Sequence, residues 1–225
     1  MPTHPRKLLV EGASDKRVLP ELIEHNGIVW EPSRKQFVVK IEDFGGVDKL
    51  TPALVSTELK AAGLDALGLI VDADEDPAAR WESVRESCRK AFKALDPSTT
   101  HIPDDLPAGG LVVPSEPAKG LPAFGVWMMP DNRAQGMLET FLGWLVPDHE
   151  TNPCWSYVDT VLDEARQHGA LWKDVHRDKA RVHTWLAWQD PPGPQLHEAI
   201  RDKALDPGSP AAAHFVAWFR HLYSL

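Results

Sequence analysis

Cysteine is scarce in this chain: there are two in 225 residues, Cys88 and Cys154, far apart and without metal-ligand spacing. That excludes a zinc ribbon and a disulfide framework, and makes a reducing cytoplasm the expected setting. Long apolar runs are missing too. No stretch approaches the length of a membrane span, and the opening Met1-Pro2-Thr3-His4-Pro5 lacks an apolar signal-peptide core. Positive charge is in short supply, with 24 Lys and Arg against 33 Asp and Glu and a net charge of -9. A general nucleic-acid coat would carry a basic footprint. A nucleic-acid partner would therefore have to be held weakly, through locally basic surface and bound cations. No Gly-x-Gly-x-x-Gly follows any apolar run, which disfavours a dinucleotide site.

What is present is ordinary in bulk and uneven in detail. Apolar residues make up 43% and charged residues 25%, the balance of a soluble globular protein. The length suffices for a sizeable core. Up to about residue 130, strand-like and helix-like segments alternate. Lys7–Val10 reads as a strand and Val18, Leu19, Leu22 and Ile23 as one helix face, with Pro20 inside it as a kink or a delayed start. Phe37–Ile41 reads as the second strand, Leu50 to Leu59 as a helix, and Leu67–Val71 as the third strand. A long helix follows from Pro77 to about Leu95, then apolar segments at Gly110–Val113 and Ala123–Met129. Such alternation predicts a mostly parallel α/β sheet of four or five strands flanked by helices over residues 1–130.

The remainder, 131–225, reads as a helical region packed on that sheet. Its expected helices are Gly136–Val146, Trp155–His168, Asp174–Trp188, Gln195–Leu205 and Ala211–Tyr223, separated by Pro147, Pro191-Pro192-Gly193-Pro194 and Pro207-Gly208. Seven of the nine tryptophans lie here or at its edge. They are expected to fill a helical core or a subunit interface rather than to form a base-stacking platform.

The chemistry concentrates at two strand ends. Leu67-Gly68-Leu69-Ile70-Val71 stops at Asp72-Ala73-Asp74-Glu75-Asp76, and Lys7-Leu8-Leu9-Val10 stops at Glu11-Gly12-Ala13-Ser14-Asp15. Open α/β sheets place their ligands at the carboxyl ends of strands, where neighbouring tops converge. Like charges crowded there repel, and a hard cation with oxygen ligands relieves the repulsion, which suits magnesium or manganese. The competing reading is that Asp74 and Asp76 cap the helix opening at Pro77 and complement its dipole.

Taken together, Val10-Glu11-Gly12 and Val71-Asp72-Ala73-Asp74 resemble the Toprim domain of primases, topoisomerases and overcoming-lysogenization-defect nucleases. In that family one apolar strand ends in Glu-Gly and a later one in Asp-x-Asp. The resemblance implies a magnesium- or manganese-dependent phosphodiester hydrolase. Its metal-site residues would be Glu11, Asp15, Asp72, Asp74 and Asp76, joined by Glu139 from Gly136-Met137-Leu138-Glu139. Glu11 would be the general acid or base. A late lysine would be the second catalytic group, with Lys179 a candidate and Lys173 and Lys119 competing. Small standalone Toprim-like proteins of unknown function are similar over nearly the whole chain and carry a segment like Trp127-Met128-Met129-Pro130-Asp131-Asn132.

Within that family a topoisomerase is disfavoured, because the only tyrosines, Tyr157 and Tyr223, fall in expected helices. A replicative primase is disfavoured because two cysteines cannot build its zinc module. Two rivals stay open: a phosphatase of haloacid-dehalogenase type, which also begins with Asp-x-Asp at a strand end, and a non-catalytic regulatory protein. In the second case the helical half would be the surface for a protein partner or a second copy.

Overall fold

The computed structural model describes residues 4–34, 36–98 and 102–225. Five strands form one sheet: β1 (Arg6–Val10), β2 (Lys40–Asp43), β3 (Ala66–Asp72), β4 (Leu111–Val113) and β5 (Ala123–Met129). Their order is β2-β1-β3-β5-β4. All pairings are parallel except that of the edge strand β4, which runs antiparallel to β5. The expected mostly parallel α/β sheet is what the chain forms.

Helices α1 (Ala13–His25), α2 (Pro52–Leu59) and α3 (Pro77–Leu95) connect the first strands. After β5 come α4 (Leu138–Gly143), α5 (Pro153–Gln167), α6 (Arg177–Ala187), α7 (Leu196–Arg201) and α8 (Pro210–Tyr223). Pro20 leaves α1 continuous. The second strand starts later than its apolar residues suggest. Its ladder begins where Lys40 meets Lys7, and β1 begins only at Arg6, so residues 37–39 have almost nothing to pair with.

Strand β3 sits between β1 and β5, and every residue in it except Asp72 is buried. That explains its unbroken apolar run: a central parallel strand is covered on both faces. Leu67, Leu69 and Val71 pack with Val55 of α2 and Trp81, Val84 and Phe92 of α3. On the other face, Ala66 and Ile70 join a cluster containing Val18 and Leu22 of α1, Phe141 of α4 and Phe215, Phe219 and Tyr223 of α8. The helices after residue 130 therefore share one core with β1, α1 and β5.

Two glycines bring α8 down onto the sheet. Gly68 and Gly125 are opposite each other in the β3–β5 register. A Cβ on Gly68 would lie 2.8 Å from Leu8 Cδ1, and one on Gly125 would lie 2.7 Å from Leu222 Cδ2. Real side chains do not approach this closely, so the missing atoms are what let the helix dock. The Tyr223 hydroxyl, buried beneath it, donates to the Lys7 carbonyl at 2.7 Å.

The tryptophans behave as core residues. Trp127, Trp155 and Trp185 are buried, Trp144 and Trp172 are half-buried, and Trp188 is exposed. Both cysteines are free thiols. Among the described residues no helix is long and apolar enough to cross a membrane.

Candidate functional site

Parallel pairing of β1 with β3 brings their carboxyl ends side by side, with Leu9 opposite Leu69. Glu11 is the first residue past β1 and Asp72 the last of β3. The Asp72 amide donates to Glu11 Oε2 at 3.2 Å, tying the two strand tops together. Asp15 lies in the first turn of α1, where its Oδ2 accepts from the Gly12 amide at 3.2 Å, and it is buried. Asp72 Oδ1 accepts at 3.0 Å from the amide of Leu138, the first residue of α4. The next residue, Glu139, is also buried and pairs with Lys179 Nζ of α6 at 3.0 Å.

Four carboxylates from β1, β3, α1 and α4 thus converge, facing one ammonium that is itself half exposed. Each acid sits at or near a helix N-terminus or strand top, where free amides soften the cost of negative charge. The softening is incomplete. Burial, with repulsion from Glu139 and Glu11, pushes the Asp15 carboxyl from its ordinary 3.8 up to about 7. Burial, with repulsion from Asp15, Glu11 and Glu139, holds Asp72 well above the carboxylate range.

The oxygens of this cluster are not gathered on one point. Among the described residues no group of three or more His, Cys, Asp or Glu side chains is arranged to hold a metal ion. The donor chemistry nonetheless fits a hard divalent cation: the donors are all carboxylate oxygens, and four of them outweigh the Lys179 ammonium.

Asp74 and Asp76 stand apart from the four. Asp74 adopts a left-handed backbone (φ 53°). Its N–H and C=O both bond to Gly136 at 2.8 Å, joining the loop after β3 to the loop before α4. Its carboxylate pairs with Arg80. Asp76 caps α3, its Oδ1 accepting from the Ala79 amide at 2.9 Å, with Pro77 following in the first turn. Both acids line an open cleft of about 830 Å³ beside the four-acid cluster.

Of the three competing lysines, Lys179 reaches the acids. Lys119 pairs with Asp96 and Glu116 near the edge strand, and Lys173 is exposed ahead of α6. Sequence reasoning missed the brace that sets Lys179 in place. Thr140 of α4 accepts from the Met137 amide at 3.0 Å and donates to Asp178 of α6, the residue preceding Lys179. No spacing rule links Thr140 with Asp178, because the contact exists only once α6 crosses α4.

The Trp127–Asn132 segment is the end of β5 followed by a turn built on Asn132. This buried residue has φ 70°, accepts from the Met128 amide at 2.8 Å and donates to the Ala108 carbonyl at 3.1 Å. It ends β5 level with Asp72, since Asp72 and Met129 are register partners.

Fold and site together define an α/β protein with an acidic centre at the carboxyl edge of a parallel sheet. The chain belongs to the family described as "Protein of unknown function (DUF3226)", whose model matches residues 5–224. No curated protein and no solved structure matches it.

Proposed function

We propose that this protein is a magnesium- or manganese-dependent hydrolase of phosphodiester bonds in nucleic acid, of the Toprim nuclease type. The observation that carries this reading is the convergence of Glu11, Asp15, Asp72 and Glu139, from four separate elements, around a single lysine. A structural role explains it poorly, because crowding unpaired carboxylates costs stability.

Asp72, with Glu11, Asp15 and Glu139 about it, would hold the cation, and Asp74 and Asp76 would line the approach. When bound, the cation supplies charge for phosphate oxygens and acidifies a coordinated water. Glu11 is the residue free to move a proton, since among the described residues the one hydrogen bond to its carboxylate comes from the Asp72 amide and leaves lone pairs open. Lys179 balances Glu139 and, being half exposed, can turn toward an incoming phosphate.

The deciding experiment is a cleavage screen with manganese and with magnesium on single- and double-stranded DNA and RNA. Glu11→Gln should lower the rate by roughly 10²–10⁴-fold with manganese binding retained, and Asp72→Ala should abolish both. If both variants cleave as well as wild type, the activity does not belong to this site. If nothing is cleaved with either metal, the hydrolase reading fails. One observation favours a second, non-catalytic reading: the acid oxygens are not closed on one point. That reading predicts no cleavage whether or not manganese binds.

A further inference from the structure

We propose that a second groove, at the end of β5, binds a phosphate group of a nucleic-acid strand whose scissile bond lies at the acidic centre. The groove has a volume of about 470 Å³ and runs between the turn after β5, the loop ahead of β4 and the exposed side of α8. Arg133, His214 and His221 line it. All three are exposed, and among the described residues none has a side-chain hydrogen bond or ion pair. His214 and His221 are seven residues apart, about two helical turns, and so lie on one stripe of α8.

One oxygen of the acid in the groove is already engaged. Asp131 Oδ1 accepts from the amides of Arg133 and Ala134 at 3.0 and 2.7 Å. In the groove wall, Trp218 spends its indole N–H on the Leu111 carbonyl at 3.0 Å. The Trp127 indole N–H is buried with no partner. On a chain of net charge -9, three uncommitted nitrogen-bearing side chains meeting at one groove are a local exception. An arginine fork with imidazole donors matches the tetrahedral oxygens of phosphate.

Position supplies the link to the acidic centre. The turn carrying Arg133 follows Met129, the register partner of Asp72, so groove and acids open at the same end of the sheet. A strand lying along that edge would present one phosphate to the acids and another to Arg133. This takes its ligand from the nucleic-acid reading above, and its test separates the two.

The test is fluorescence anisotropy of the full chain with an end-labelled single-stranded oligonucleotide, in EDTA so that nothing is cut. Inorganic phosphate and a mononucleotide serve as competitors. Arg133→Ala should weaken binding roughly tenfold. It should also flatten the dependence of log K on log salt by about 0.7, the share of one single-strand phosphate contact. His214→Gln combined with His221→Gln should weaken binding as well. All these residues are exposed, so unfolding midpoints should stay at the wild-type value. If Arg133→Ala binds with wild-type affinity and salt slope, the groove is not the site, whatever the cleavage screen shows. If phosphate or the mononucleotide binds at the groove and the strand does not, a polymeric ligand is refuted. If strand binding depends on Arg133 while manganese supports no cleavage, the groove stands and the hydrolase reading falls.

Discussion

Replacing Asp15 by asparagine should make the metal-free protein more stable at pH 8 and leave it nearly unchanged at pH 4. In the unfolded chain this carboxyl ionises near 3.8, whereas in the fold it holds its proton to about 7. Below 3.8 both states are protonated and the residue contributes nothing to the balance. Between about 4 and 7 the native state binds the extra proton, so stability falls as pH rises. Above 7 the full penalty applies, about 4 kcal/mol for a carboxyl moved from 3.8 to about 7. Asparagine removes the charge at every pH, and its side-chain oxygen can still accept from the Gly12 amide, the bond Asp15 makes now. The measurement is denaturant unfolding of both proteins in EDTA from pH 4 to 9. Wild type should lose stability across that range, and the difference from Asp15→Asn should open between about pH 4 and 7. Parallel curves, or a wild type that gains on the variant with rising pH, would refute the idea that these acids are crowded.

Three further outcomes are expected. Asp96 should behave with the opposite sign: the Ser98 hydroxyl and amide, with Lys119, hold its carboxyl below the usual range. Its contribution is therefore present at neutral pH and lost as pH falls below the ordinary carboxylate value, so Asp96→Asn and wild type should converge in acid. Manganese should raise the melting temperature of wild type and not of Asp72→Ala, and the rise should grow with pH because the cation must displace protons from Asp15 and Asp72; equal responses from the two proteins would remove Asp72 from the site. Gly68→Ala should cost about 1–3 kcal/mol or more in denaturant unfolding, since the new methyl would press on Leu8 and Leu222 where α8 meets the sheet.

The parts of the fold legible in the sequence are those governed by local physics. The apolar runs of β1 and β3, stopping at Glu11 and Asp72, and the Asp76-Pro77 start of α3 follow from strand burial and capping. They account for the parallel sheet and for two of the four clustered acids at its strand tops. Where a boundary depended on a partner strand, as for β2, residue type alone placed it too early. Pro20 suggested a kink or a delayed start, whereas α1 already begins at Ala13 and runs on to His25. Asp74 was indistinguishable from Asp72 by spacing. What separates them is that Asp74 turns left-handed to bond Gly136 and meets Arg80, whereas Asp72 stays in the strand with its carboxylate on the start of α4.

The helical half was the harder part, because its contribution is one of position. Glu139 enters the cluster only because α4 begins where the Leu138 amide can bond Asp72. Lys179 reaches Glu139 only because Thr140 and Asp178 brace α6 across α4. Those contacts join residues from 38 to 66 positions apart, beyond the reach of any periodicity. They also bear on function. The acids of β1, β3 and α1 would be crowded even without the second half. Only α4 and α6 bring the fourth carboxylate and the balancing ammonium. A helical region that served the sheet as a cover alone would not need a buried glutamate in its first turn, nor a lysine and an aspartate side by side to hold it there.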